Sequence, residues 1–580
     1  MPDVSLGAPA AQIKAVPLTD AKLGRWLLIV ALVLTCLVYL ATLRFSFVYD
    51  DLPQIVGNPT LTSWRYLPTL FLSHVWKFRI PNWPGNYYRP IFMSWLLLNR
   101  MLWGLNPIPW HACALALHLA TTWLAFAVSR QILRSGTQAG VVAILFGLHP
   151  IHIESVAWIS GATDPLMSMF VLAALWAWIR GTDSQQHGAR WKLFAGVLYL
   201  LGCLSKETAF ALPILVIAYE YLFGQKRSPM CLILGAWPFW IASGIYLAGR
   251  MLALHGFEHP FGFPLSHIVM TVPAILGGYV RLLFWPVGLS AFYATPPVTS
   301  IWEWRFWLPM LTGIAALAAA WWVARCSRIF AFSFLWVFAF LAPAILGLPL
   351  FHAGEWLHDR YLYLPSFGLC LLLAHGLSFG WNSRSPFLKY VAIGLLPLIV
   401  TAMCFATAWQ EQPWADSVLL FTHSARQQPD SGWAKGYLAA ELYRRGDREN
   451  AARLYEEALK IDPNNWRNLA DYATVLYYRG DFRRADELFT RALSLDPSDA
   501  ATHLNQGICR FKYGNYAGAE DSFTAALSRD PNLPKCHYWL GTVFEMKGKI
   551  DAARAEYKEE IRLHPETAAE AGERLKQLPK

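Results

Sequence analysis

Hydrophobic and polar positions divide the chain near residue 410. Before it, twelve apolar runs (26–43, 110–130, 139–158, 164–180, 192–205, 208–224, 230–250, 267–287, 306–324, 329–350, 361–380 and 387–409) are separated by short polar breaks. About 20 apolar residues let a helix cross a bilayer, so these runs predict a bundle of membrane helices. Residues 89–103, "RPIFMSWLLLNRMLW", are too short to span and amphipathic enough to lie in the interface.

Beyond 410 the chain turns polar and takes up a longer rhythm. Pro429, Pro463, Pro497, Pro531 and Pro565 are each 34 residues apart, as are Gly446, Gly480, Gly514 and Gly548. Ala451, Ala485, Ala519 and Ala553 keep the same period, and Tyr455, Phe489, Phe523 and Tyr557 follow four residues behind them. This is the tetratricopeptide (TPR) pattern of stacked helix pairs. The small alanine lets the two helices approach, and the aromatic fills the gap to the next pair. Full repeats are expected at 432–465, 466–499, 500–533 and 534–567, after a partial repeat at 417–431 and before a capping helix at 568–580. The fold class is therefore all-α: a polytopic membrane bundle, 26–410, followed by a TPR solenoid, 411–567. Such a solenoid offers a concave groove to a polypeptide.

Charge orients the bundle. Lys14, Lys22 and Arg25 place the N-terminal tail, 1–25, in the cytoplasm. Arg130/Arg134, Arg180/Arg190/Lys192 and Lys226/Arg227 recur at every second break; Arg325/Arg328 and Arg384/Lys389 also read as cytoplasmic. The last two sites are off by one from twelve crossings. One segment between 230 and 287 is thus expected to be re-entrant, interfacial or miscounted as a span, leaving about eleven crossings and a solenoid outside the cytoplasm. The composition, 55% apolar and 15% charged, excludes a soluble globule for this part. The net charge of +10 lies largely in the short loops and marks topology, not a nucleic-acid surface. The nine cysteines form no CxxC pair, so neither a zinc site nor a disulfide framework is expected.

On this topology the ionisable residues gather on the outer face. "FVYDDLPQIVGN" (47–58) places Asp50 and Asp51 just past the first run. "YYRP" (87–90) adds Arg89, and "LHPIHIESVAWISGATD" (148–164) adds His149, His152, Glu154 and Asp164. "LSKET" (204–208) holds Lys206 and Glu207, and "HAGEWLHDRYLYLPS" (352–366) holds His352, Glu355, His358, Asp359 and Arg360. Each has an ordinary explanation: a solvated turn, a local ion pair, an interfacial arginine. Pro150, between His149 and His152, argues against a two-histidine metal helix. Their co-occurrence on one face instead predicts a polar cavity at the membrane surface. A carboxylate pair can take a proton from a hydroxyl or hold a divalent cation, and an arginine can grip a phosphate with two parallel hydrogen bonds. The set suits a lipid-phosphate-linked donor whose tail stays in the bilayer.

Together, "FVYDDLPQIVGN", "YRPIFMSW" (88–95), "LFGLHPIHIESVAWISGATDPL" (145–166), "LSKET", "WPVGLSAFY" (285–293), "RYLYLPS" (360–366) and the repeats resemble the transmembrane-and-TPR-containing (TMTC-like) glycosyltransferases. That family shares the GT-C fold with protein O-mannosyltransferases. The resemblance implies transfer of a sugar from a polyprenyl phosphate to a Ser or Thr hydroxyl of a polypeptide at the non-cytoplasmic face. It implies Asp50 or Asp51 as general base, Arg360 as donor-phosphate ligand and Lys206 as a second one. His149, His152, Glu154, Asp164, Glu207, Arg89 and His358 would shape the pocket. No metal or other cofactor is expected, a divalent cation being the less favoured option. One departure is "SGATD" (160–164), where Thr163 separates Ala162 from Asp164 and family members often carry an arginine just before an Ala-Asp pair.

Two other classes stay open: a non-enzymatic membrane-anchored TPR scaffold for an envelope or secretory complex, and a GT-C transferase acting on lipid or polysaccharide. The Arg- and Trp-rich composition, with no usable N-glycosylation sequon, points to a bacterial inner membrane with periplasmic repeats; an endoplasmic-reticulum membrane with luminal repeats is the alternative.

Overall fold

A computed structural model of the chain describes residues 18–78, 85–184, 186–224, 228–254, 264–351, 356–565 and 568–579. Lys14, Lys226, Arg227, His352 and Glu355 lie outside them. Among the described residues all regular structure is helical.

Among the described residues, seven helices are long and apolar enough to cross a membrane, or nine if two bent pairs count as one span each. The bent pairs are Gly136–Leu148 with Pro150–Ala157, at 51°, and Pro229–Gly235 with Trp237–Leu254, at 54°. The second lies where the charge pattern requires a segment that does not cross. A shorter apolar helix, Pro365–Trp381, adds to the set, and Pro90–Trp103 forms the 14-residue helix expected at the interface.

Local chemistry sets the helix starts. Asn106 and Ser135 cap the helices that follow them, accepting from Ile108 N and Gln138 N. The Asp20 carboxylate takes Gly136 N at 2.6 Å and Thr137 N at 3.0 Å, placing a negative charge on a helix N-terminus. Here the first helix packs against Gly136–Leu148 at close range: a Cβ on Gly24 would lie 2.4 Å from Gly136 C, and one on Gly140 would lie 2.4 Å from Leu27 Cβ. Only glycines allow that approach.

The C-terminal helices pair as the 34-residue rhythm predicts: Gly432–Arg444 with Arg448–Ile461, Trp466–Tyr478 with Phe482–Leu495, Ala500–Lys512 with Tyr516–Arg529, and Cys536–Met546 with Ile550–Leu563. Ser417–Gln427 precedes them and Ala569–Gln577 follows. The repeating glycines take φ of +90°, +85°, +88° and +71°, closing the first helix of each pair. Asp447, Asp481 and Asn515 then cap the second. The repeating alanines are fully buried, with the aromatics behind them at most 1% exposed.

Bundle and solenoid share one core. Trp414, Leu420, Phe421, Trp433, Ala434 and Leu438 belong to the same hydrophobic cluster as the membrane helices, whereas the later repeats form clusters of their own. Hydrogen bonds cross the junction: Ser46 N and Oγ donate to Ala415 O at 3.1 and 3.0 Å, and Ala294 N donates to Gln428 Oε1 at 3.2 Å. The first repeat is thus docked on the bundle, with no linker between them.

Candidate functional site

The five loops that carry the ionisable motifs meet in the structure, and each cation named from the sequence meets a carboxylate from another loop. Arg89 forms a fork with Glu207, Nε at 3.0 Å and Nη2 at 2.6 Å. Lys206 Nζ lies 2.7 and 2.8 Å from the two oxygens of Asp164. Arg360 holds Glu154 through Nη1, and its backbone N donates to the other oxygen at 2.8 Å. Tyr361 sits among them: its ring centre is 5.1 Å from Lys206 Nζ and 5.2 Å from Arg360 Cζ, and the His358 ring is 5.6 Å away. Tyr293 donates its hydroxyl to Asp359 at 2.7 Å, joining the segment between helices Leu265–Phe284 and Trp304–Cys326 to the same cluster. Asp164 therefore serves as the Lys206 partner, which gives the departing "SGATD" loop a defined structural place.

These cations are not equivalent. The Lys206 side chain is 2% exposed and engaged with both Asp164 oxygens, whereas Arg360 retains 19% and Arg89 16%. Arg360 has five N–H donors, and Glu154 uses only part of that fork. Of the two phosphate-binding candidates, Arg360 is the accessible one and Lys206 a buried support.

The structure also separates Asp50 from Asp51. Asp51 is fully buried. Its Oδ1 accepts from Ser160 N at 2.8 Å and Ser160 Oγ at 2.6 Å, and its Oδ2 from Val48 N at 3.2 Å. Burial pushes its pKa up to about 7, against the pull of those bonds and with a further push from the neighbouring Asp50 charge. Asp50 instead lines a cavity of about 620 Å³. One wall is its own loop, with Tyr49, Leu52, Pro53 and Gly57; the other is the groove of the first repeats, including Tyr437, Arg467, Asn468 and Asp471. That volume falls within the range of ligand pockets, about 300–1,000 Å³.

Trp158 joins this cavity to the ion-pair cluster. Its ring centre is 5.4 Å from that of Tyr49 on one side and 5.6 Å from Arg360 Cζ on the other.

His149 and His152 lie away from the Asp50 cavity. Both are essentially buried. His149 Nε2 meets Leu283 O at 3.1 Å and His152 Nε2 meets Ser366 Oγ at 2.8 Å, so they tie chain segments in the packed interior and line neither wall of the cavity. Among the described residues no group of three or more His, Cys, Asp or Glu is arranged to hold a metal ion. Ser160, Tyr361, Tyr437 and Arg467 carry no signal of their own in the sequence: Ser160 and Tyr361 lie within the 148–164 and 360–366 stretches, but their contacts depend on residues far away in the chain.

Fold and site define a multi-pass membrane protein with a loop-built polar cluster, joined directly to a TPR solenoid. Residues 88–251 match the family described as dolichyl-phosphate-mannose-protein mannosyltransferase, and residues 434–465, 471–534 and 514–568 match tetratricopeptide repeat families. The chain is similar in sequence to proteins named protein O-mannosyl-transferase. It is 26% identical over 496 residues to Protein O-mannosyl-transferase TMTC1 of Homo sapiens, an alignment covering 76% of this chain and 56% of that one. It is 26% identical over 459 residues to Protein O-mannosyl-transferase F38B6.6 of Caenorhabditis elegans, covering 75% and 63%. The chain thus spans 56–63% of the length of these two relatives. Among solved structures, the crystal structure of MamA matches with 25% identity and a TM-score of 0.22, over 24% of this chain and 85% of that one.

Proposed function

We propose that the protein is a membrane glycosyltransferase of GT-C type. It moves a sugar from a polyprenyl-phosphate donor to a Ser or Thr hydroxyl of a polypeptide, at the non-cytoplasmic face. Mannose is the sugar the relatives' names suggest. The observation that carries the reading is the placement of Asp50: an acidic side chain just past the first apolar span, Thr19–Arg44, in a cavity whose far wall is the groove of the first repeats.

The acceptor hydroxyl lies in that cavity and attacks the anomeric carbon opposite the lipid phosphate. Asp50 takes the hydroxyl proton as the new glycosidic bond forms. The bond from the anomeric carbon to the phosphate oxygen breaks, and the lipid phosphate leaves with that electron pair, with inversion at the anomeric centre. Arg360 meets the departing phosphate with its remaining N–H groups, and Lys206 adds positive charge from behind Tyr361. Arg89, Glu207, Glu154, Asp164 and His358 hold these groups in place. The membrane is proposed to be a bacterial inner membrane with periplasmic repeats, the endoplasmic reticulum being the other option.

The test is in vitro transfer by the purified full chain, with polyprenyl-phosphate mannose and a Thr-containing peptide. Asp50→Asn should lower kcat by about 10²–10⁴-fold. Wild-type turnover by that variant would end the assignment. Transfer to lipid or polysaccharide alone would move the protein to a different acceptor class.

A further inference from the structure

Tyr49, the residue before Asp50, has φ of +53°. A bulky aromatic residue is rarely found in this left-handed region, and holding it there costs about 1–3 kcal/mol. The surrounding structure has to impose the conformation, and here it does so with aromatic rings. The Tyr49 ring centre lies 5.4 Å from Trp158, 5.6 Å from Phe292, 5.9 Å from Phe421 and 5.3 Å from Tyr437. Trp158 and Phe292 come from the bundle loops, Phe421 and Tyr437 from the solenoid. Tyr437 also stacks on Phe292 at 4.8 Å and on Phe421 at 5.3 Å, so it closes the box.

Arg467 stands behind Tyr437. Its Nη1 donates to Tyr437 Oη at 3.1 Å, and its guanidinium carbon is 5.3 Å from the ring centre. It lines the same cavity as Asp50 and is within electrostatic reach of Asp50 and Asp471. That hydrogen bond links the ring that shapes the Tyr49 turn to a cation that lines the same cavity as the Asp50 carboxylate.

We infer that Tyr437 and Arg467 of the solenoid are positioning residues for transfer: Tyr437 holds Tyr49 in its left-handed turn so that Asp50 faces the cavity, and Arg467 orients the Asp50 carboxylate from the opposite wall. The inference rests on Asp50 being the base. It makes the first two full repeats part of the transfer machinery, beyond any role in recruiting the acceptor.

The experiment uses the full chain, polyprenyl-phosphate mannose and a short Thr-containing peptide, with kcat and both KM values measured. Tyr437→Ala and Arg467→Met should each lower kcat at saturating peptide by about tenfold or more, with donor KM within about twofold of wild type. Tyr437→Phe, which keeps the ring, should stay within about threefold of wild type, and Arg467→Lys should recover part of the loss. Glycine takes the left-handed turn unaided, so in a Tyr49→Gly background Tyr437→Ala should have little further effect on kcat. Arg467 is half-buried, so its variants keep the test open should Tyr437→Ala unfold. Wild-type kcat with only a raised peptide KM, in both Tyr437→Ala and Arg467→Met, would overturn the inference and leave a binding groove. An inert wild type, or a fully active Asp50→Asn, would remove the base assignment and this inference with it. An active wild type and dead Asp50→Asn, with both solenoid variants at wild-type kcat, would remove this inference alone.

Discussion

Asp51 and Ser160 are joined by two hydrogen bonds, from Ser160 N at 2.8 Å and Ser160 Oγ at 2.6 Å. This contact pins the loop that carries Asp50 to the one that carries Glu154 and leaves Asp50 to line the cavity. Asp51→Ala should therefore act on stability. It strands buried donors, each worth about 1–3 kcal/mol, so unfolding in detergent should show a loss of about 3 kcal/mol. Asp50→Asn should change stability by no more than about 0.5 kcal/mol while removing transfer. Equal stability losses in the two variants would contradict the division of roles.

The buried Asp51 also predicts a pH effect. Its native pKa, about 7, lies above its ordinary 3.8. Between those values the native protein keeps a proton that the unfolded chain has released. Its contribution to stability is full at low pH and is lost as pH rises through about 7, by at most about 1.4 kcal/mol per pH unit. The stability of wild type relative to Asp51→Asn should fall between pH 5 and pH 8. A difference that stays flat across that range would contradict the shift.

Lys206 and Asp164 form a buried pair, with side chains 2% and 4% exposed. Removing one partner leaves an uncompensated charge, so Lys206→Met should destabilise by about 3–5 kcal/mol. Lys206→Met with Asp164→Leu should regain most of that stability. If Lys206 also serves the donor phosphate, the double variant should still bind the donor more weakly than wild type. Thermal unfolding and donor KM, measured on the same samples, separate the two effects.

Arg360 holds Glu154 with side chain and backbone, and its guanidinium lies over both Trp158 and Tyr361. Lysine cannot reproduce that planar fork. Arg360→Lys should weaken the hold on the donor phosphate, with a drop in kcat/KM for the donor of about tenfold or more. Near-wild-type donor kinetics in this variant would argue that the arginine is structural.

The last repeats have hydrophobic clusters separate from the one shared with the bundle. Ending the chain after residue 533 should leave the Asp50 cavity intact, because its lining stops at Thr474. Transfer to a short peptide should persist in this truncation, with kcat within about threefold of wild type. Loss of transfer to a short peptide would place an essential contact beyond the cavity.

Much of this architecture was legible in the sequence because it is written locally or periodically. The repeats announce themselves through Gly446, Gly480, Gly514 and Gly548, whose positive φ only glycine adopts readily. Loop charges gave an expectation of which breaks would lie together, and the loops named from it do meet. The pairing of charges was not legible, because Glu154 and Arg360 are 206 residues apart and Arg89 and Glu207 are 118 apart. Nor could adjacent Asp50 and Asp51 be told apart, since the difference is made by Ser160 and by the helices across the cavity. His149 and His152 looked like pocket residues because polar side chains in an apolar run suggest a cavity. Here they satisfy a backbone carbonyl and a hydroxyl inside the packed bundle.

The cavity between the Asp50 loop and the first repeats also bears on acceptor choice. Its volume of about 620 Å³ suits a short stretch of extended chain, whereas even a domain of about 100 residues has a radius of gyration of about 13 Å. For a protein acceptor, that size admits an extended segment or an exposed loop around the hydroxyl and leaves the folded bulk of the substrate outside. The local accessibility of a segment, more than the overall shape of the acceptor, would then decide which hydroxyls are modified.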